Sequence, residues 1–157
     1  MATRQPATHP IPLKFHKKKV QLQVDYRPPY EEVDGERRSV VQGSIFLSVA
    51  KALDEAGSRM DWDGATFMKL GPADIAQIVT GLRTRSEKID LFHQPPGSAR
   101  SSSLQIEPGK TPGTYRWTLT VSSEGQKDVR TVYLDTSDIY LLVTCLEAVV
   151  PRMVGWA

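Results

Sequence analysis

Residues 73–82 read ADIAQIVTGL and residues 137–146 read SDIYLLVTCL. Asp74 matches Asp138, Ile75 matches Ile139, Val79 matches Val143, Thr80 matches Thr144 and Leu82 matches Leu146. An internal repeat of this kind constrains the architecture before any single motif is read. In both copies an aspartate falls in a first helical turn, where negative charge meets the positive end of the helix dipole. Pro72 suits the first helical position of one copy, and Asp135 or Thr136 suits the cap of the other. Ile75, Ile78, Val79 and Leu82 form one apolar stripe at helical spacing. Ile139, Leu142, Val143, Leu146, Val149 and Val150 form the second, which runs until Pro151.

Outward from these helices, the chain alternates with the period of strands. In KKVQLQVDY (18–26) Val20, Leu22 and Val24 face one way, and Lys19, Gln21, Gln23 and Asp25 the other. In GSIFLSVAKAL (43–53) Ile45, Leu47 and Val49 oppose Ser44, Phe46, Ser48 and Ala50. EEVDGERR (31–38) reads as a polar loop. RMDW (59–62) and ATFMKL (65–70) read as a hairpin joined at Asp63-Gly64. The second half starts over. KIDLF (88–92), LQIEP (104–108), TYRWTLTVS (114–122) and VRTVYL (129–134) are strand candidates. A flexible loop, HQPPGSARSSS (93–103), and turns at PGKTPG (108–113) and EGQKD (124–128) separate them. The pattern is about four short strands and a helix, twice, in one α+β domain with pseudo-repeats near 17–83 and 84–156. Residues 1–16, with prolines at 6, 10 and 12, read as a flexible basic arm.

The length of 157 residues suits one domain, and 39% hydrophobic with 24% charged residues excludes wholesale disorder. No apolar stretch approaches the roughly 20 residues of a membrane-spanning helix, and no secretory leader is expected. The single cysteine, Cys145, excludes an intramolecular disulfide and a thiolate metal cage. It fits a small buried hydrophobe on its helix and a reducing compartment. Net charge is only +2, but Arg4, Lys14, Lys17, Lys18 and Lys19 all precede Asp25, the first acid. A basic arm on a mildly acidic body points to an anionic partner.

Several segments, taken in order, resemble the Whirly family of single-stranded nucleic-acid-binding proteins. VVPRMVGW at the C-terminus is similar to that family's ending, and LFHQP (91–95) to its Phe-Phe-His-Asp-Pro segment. MDWDGATFMKLGPADI resembles its Asp-Trp, Phe-x-Leu and helix-start segment. KKKVQLQVDYRPP resembles its lysine-led first strand, and LQIEP also fits. The resemblance covers roughly residues 17–156. It implies two four-stranded antiparallel sheets packed crosswise, a helix after each, assembly into a homotetramer, and binding of single-stranded DNA with little sequence preference. Lys17-Lys18-Lys19-Val20-Gln21 departs from the family's Lys-Gly-Lys-Ala-Ala, which puts assembly into larger particles in question. No transit peptide like that of the plant members is expected, so an organellar address is not carried over. A bacterial or phage source, with a cytoplasmic or nucleoid-associated location, is the expectation.

A single strand exposes bases and phosphates together, so its binder needs cations for the backbone and flat groups for stacking. Lys17, Lys18, Lys19, Gln21, Gln23, Phe46, Ser48, Trp62, Lys69, Arg116, Thr118 and Arg130 are the expected contacts. Phe46 is the most telling, an aromatic on an otherwise small and polar strand face. Ile139, Leu142, Val143, Leu146, Val150 and Trp156 are the expected oligomer contacts. The bland alternative for each charge is a solvated strand face, and for Trp62 the core. An enzyme is disfavoured: Asp61, Asp63 and His93 match no metal-ligand spacing, and no Gly-rich phosphate loop or nucleophile elbow occurs. No cofactor, metal or membrane partner is expected. Single-stranded RNA is the nearer alternative ligand, and an assembly protein binding other proteins through its sheets is the second. Replication, repair, recombination and transcription all use such a binder.

Overall fold

Each repeated decapeptide lies in a helix that closes a four-stranded antiparallel meander. The computed structural model describes residues 12–39 and 42–156. The first half comprises β1 (Leu13–Lys17), β2 (Val20–Arg27), β3 (Tyr30–Val33), β4 (Glu36–Ser39), β5 (Ser44–Lys51), β6 (Thr66–Leu70) and α1 (Pro72–Arg83). The second comprises β7 (Ile89–His93), β8 (Arg100–Pro108), β9 (Tyr115–Ser123), β10 (Gln126–Leu134) and α2 (Thr136–Met153). Sheet 1 runs β1-β2-β5-β6 and sheet 2 runs β10-β9-β8-β7, all neighbours antiparallel. The β3–β4 hairpin is inserted into the first unit as a separate two-stranded sheet.

Four local readings change, each for a physical reason. Residues 31–38 are not a loop. Asp34 and Gly35 take φ of 53° and 78°, the two left-handed residues of a tight hairpin turn. The second Asp-Gly pair, Asp63-Gly64, forms no hairpin between strands. The Asp61 carboxylate accepts the Gly64 N–H at 3.0 Å and closes a local turn, and Met60 makes only an isolated bridge to Ala52. β1 begins at Leu13, inside the stretch read as an arm. Phe15 is buried opposite Leu22, which anchors the strand, and Lys18-Lys19 becomes its turn. β8 begins at Arg100, so Ser101–Ser103 belong to a strand: pairing with Ser122–Thr120 overrides their weak strand preference.

The alternating residues meet in one core. Leu22, Leu47 and Met68 from sheet 1 face Leu104, Trp117, Leu119 and Leu134 from sheet 2. Ile75, Ile78, Leu142 and Leu146 from the helices complete it. Leu142 and Leu146 are 1% and 3% exposed, so these two expected oligomer contacts are interior residues of their own chain. Ile139, Val143 and Val150 pack half-buried against the same core. α2 also runs through Pro151 to Met153, whose fully buried side chain holds the helix end in the core.

Two polar devices join the halves. Asp74 accepts the Gly71 N–H at 2.8 Å, and its other oxygen lies 2.9 Å from His93 Nε2. Asp138 accepts the Asp135 N–H at 3.0 Å and pairs with Lys17 Nζ at 2.5 Å. His93 ends β7 and Lys17 ends β1, so each helix start is tied to the first strand of the other half. The second device is centred on Arg130. Its guanidinium donates to Val49 O at 2.8 Å, to Gly64 O at 2.7 Å and to Asp128 Oδ1 at 3.1 Å. Thr66 Oγ1 donates to the same Asp128 carboxylate at 2.6 Å.

Asp138→Ala removes both a capping carboxylate and the partner of Lys17. We expect it to cost about 1–2 kcal/mol in urea denaturation, with Asp138→Asn costing less. The Arg130 and Thr66 hydrogen bonds hold the Asp128 carboxyl below the usual carboxylate range. A depressed native pKa contributes stability that is present above the unfolded value of about 3.9 and lost as pH falls through the native one. The difference in melting temperature between the wild type and Asp128→Asn should therefore shrink steadily below about pH 4. A constant difference from pH 6 to pH 2.5 would refute the coupling.

Candidate nucleic-acid interface

Strand parity sends one set of sheet 1 side chains into the core and the other to its outer face. Register then aligns that outer set in rows. Lys14, Gln23, Ser48 and Phe67 form one row, and Asp25, Phe46 and Lys69 the next. His16, Gln21 and Ala50 form a third. Two phenylalanines thus sit diagonally on adjacent strands. Their ring centroids are 6.0 Å apart with a 39° tilt, a favourable aromatic pair.

Cations flank every ring of this face. The Arg27 guanidinium lies 5.3 Å from the Phe46 centroid, and the Arg100 guanidinium 4.2 Å from that of Phe67. Lys14 Nζ lies 5.8 Å from the Trp62 ring, which the 61–64 turn carries. Arg100 also donates to Phe67 O at 2.6 Å, so the start of β8 completes a site on the other sheet. Phe67 and Trp62 keep 42% and 36% of their surface open to solvent. Rings, cations and short polar side chains on a strand face are what stacking and phosphate contact require.

The expected site residues divide accordingly. Gln21, Gln23, Phe46, Ser48, Trp62 and Lys69 lie on or beside this one face. Lys18 and Lys19 form the exposed β1–β2 turn. Lys17 does not share their freedom: its side chain is only 31% exposed and its ammonium is committed to Asp138. Arg116 and Thr118 lie on the outer face of sheet 2, with Arg116 paired to Glu107 at 2.5 Å. Arg130 is a correction. It pairs in register with Leu119, an inward position, and its side chain is 9% exposed inside the inter-sheet clamp.

Sequence reasoning passed over Phe67, Arg27 and Arg100, and counted Lys14 only within the basic arm. Phe67 was recoverable, because Met68 and Leu70 alternate with it and are buried. Arg100 was not, since its partner ring lies on a strand of the other half. The expected interface residue Trp156 is 87% exposed beyond the end of α2, and Tyr140 and Leu141 are the open apolar residues of that helix. Asp61 serves its turn and His93 faces Asp74. No cluster of three or more metal-ligating side chains occurs among the described residues.

No protein-family model matches the sequence, and no curated protein matches it. Solved structures do. WHY3 from Arabidopsis thaliana, a Whirly protein, superposes with a TM-score of 0.80 at 20% identity, over 97% of this chain and 92% of that one. The plant transcriptional regulator PBF-2 superposes at 0.79 and 20% identity, over 97% and 86%. A guide-RNA-binding protein complex bound to a guide RNA superposes at 0.66 and 16% identity, over 96% of each chain. Two antiparallel four-stranded sheets, each closed by a helix and tied to the other half at the helix starts, therefore give this chain the Whirly fold.

Proposed function

We propose that the protein binds single-stranded DNA with little sequence preference, on the outer face of sheet 1. The observation that carries this reading is the set of Phe46, Phe67 and Trp62 rings, each with a cation 4.2–5.8 Å from its centroid. Every base offers a π-face, so such a surface holds bases without inspecting their edges, while Lys14 and Lys69 meet phosphates and Arg27, paired with Asp25 at 2.9 Å, backs the Phe46 ring. A duplex hides its base faces and fits the site poorly. The Whirly resemblance favours DNA. RNA is the second reading, favoured by the guide-RNA-bound neighbour of the same fold. Stacking and backbone charge do not distinguish the two unless a contact to the 2′-OH is built.

We further propose that the chain acts as a homotetramer. Tyr140, at 74% exposure, and Leu141 leave an apolar strip on α2 that the chain's own core does not cover, and Trp156 stands beyond it. This moves the expected contact away from Leu142 and Leu146. The reading assigns no catalytic step, cofactor or metal.

Fluorescence anisotropy with labelled DNA, RNA and duplex oligonucleotides over a salt series tests the ligand. Equal affinity for duplex, or no binding at low salt, would refute it. Phe67→Ala should cost about 1–3 kcal/mol of binding, the contribution of one stacked base, with the salt slope unchanged. Lys69→Ala should instead reduce the slope of log K against log salt by about 0.7. Tyr140→Asp with Leu141→Asp should convert the assembly to smaller species in light scattering while leaving the circular dichroism spectrum intact.

A further inference from the structure

The β8–β9 connection, PGKTPG, has no part in the sheet 1 face, yet it is built as firmly as a strand. Gly109 N–H donates to Thr114 O at 2.8 Å, and Thr114 donates through both its N–H and its hydroxyl to Thr111 O at 3.1 and 2.6 Å. Thr136 Oγ1, at the start of α2, donates to Gly113 O at 3.1 Å and pins the far side of the loop. Gly113 takes a φ of 83°, and a Cβ there would collide with Thr136 Oγ1. The loop is therefore held in one shape before any ligand arrives, which lowers the entropic cost of binding.

Between this loop and the outer face of sheet 2 lies a cavity of about 460 Å³, lined by Lys110, Thr111, Arg116 and Tyr133 among others. That volume falls within the usual range for small-molecule sites, about 300–1,000 Å³. Tyr133 presents a ring that is 57% exposed. Its cross-strand partner is Arg116, whose guanidinium is held by Glu107 on the next strand at 2.5 Å. Arg116 is thereby largely neutralised and serves to fix the ring. Lys110 is different: it is exposed at the rim and forms no ion pair among the described residues. An aromatic plane beside a free ammonium suits one flat heterocycle joined to one phosphate.

We propose that this pocket takes a single nucleotide, its base against Tyr133 and its phosphate on Lys110, with Arg116 as a positioning residue. The nucleotide comes either from a strand passing over sheet 2 or from the free pool. The inference does not rest on the sheet 1 reading, because it uses a different sheet and none of the same side chains.

The test is a titration of the isotope-labelled full chain, followed by amide chemical shifts. Thymidine 5′-monophosphate, thymidine, inorganic phosphate and oligo-dT are the probes. The monophosphate should shift the amides of residues 109–111, 113–116 and 133 and bind more tightly than thymidine or phosphate alone. Lys110→Ala should weaken the monophosphate about fivefold, in keeping with loss of one exposed charged contact. Tyr133→Ala should abolish the shifts at 116 and 133, and Tyr133→Phe should restore them, because the ring rather than the hydroxyl is used. Oligo-dT moving the same amides assigns the nucleotide to a strand; only the monophosphate moving them assigns it to the free pool. Absence of shifts at 109–116 with every probe overturns the proposal. Phe67→Ala should leave the monophosphate shifts unchanged, and their loss would overturn the separateness of the site. A chain that shows these shifts but binds no strand would refute the sheet 1 reading while keeping this one.

Discussion

Asp74 and Asp138 each hold a helix start and an opposite half of the molecule at once. Each sits at the third helical position, where its carboxylate accepts the N–H of the capping residue and satisfies a donor that the helix itself leaves open. Each also meets a basic side chain at the end of the other half's first strand, His93 or Lys17. The two contacts are equivalent under the duplication. Together they set where α1 and α2 begin, and hence which side chains the stripes deliver to the shared core.

With both inner faces and the buried stripes of both helices consumed by that core, the outer faces of the sheets remain open. The two faces are not copies of one another. Sheet 1 carries Phe46, Phe67 and Trp62 with cations over their rings, and it borrows Arg100 from β8. Sheet 2 carries Ser103, Thr118 and Thr120 through its middle, with Arg116 and Tyr133 gathered near the β8–β9 loop. Duplication has supplied the scaffold, and divergence of outward residues has supplied the chemistry. Inward positions cannot diverge as freely, because a changed volume in a close-packed core is felt at once.

The fold was legible for the same reason. Strand alternation and helical spacing are local patterns, and Leu22 and Leu47 were placed on the apolar faces of their strands from their neighbours in the chain alone. The outward set was legible only in part. Phe46 and Lys69 were found on their parity, while Arg130 was placed outward and proved to be a clamp. Its direction follows from the β9–β10 register, which pairs it with Leu119, and register is set by a turn and by non-local packing. The two Asp-Gly pairs teach the same lesson. One makes a hairpin, and the other is captured by the carboxylate of Asp61 two residues earlier.

By itself the sequence determined the duplication, the two helices, and most of the alternating strands with their apolar faces, because periodicity and capping act over a few residues. Tertiary structure decided which cations are free. Lys17 and Arg130 are spent on Asp138 and Asp128, Arg100 is brought onto Phe67, and Lys110 is left at the rim of a pocket. A charge has no function until its partner is known, and partners such as Lys17 and Asp138, 121 positions apart, meet only when the two halves close on one another.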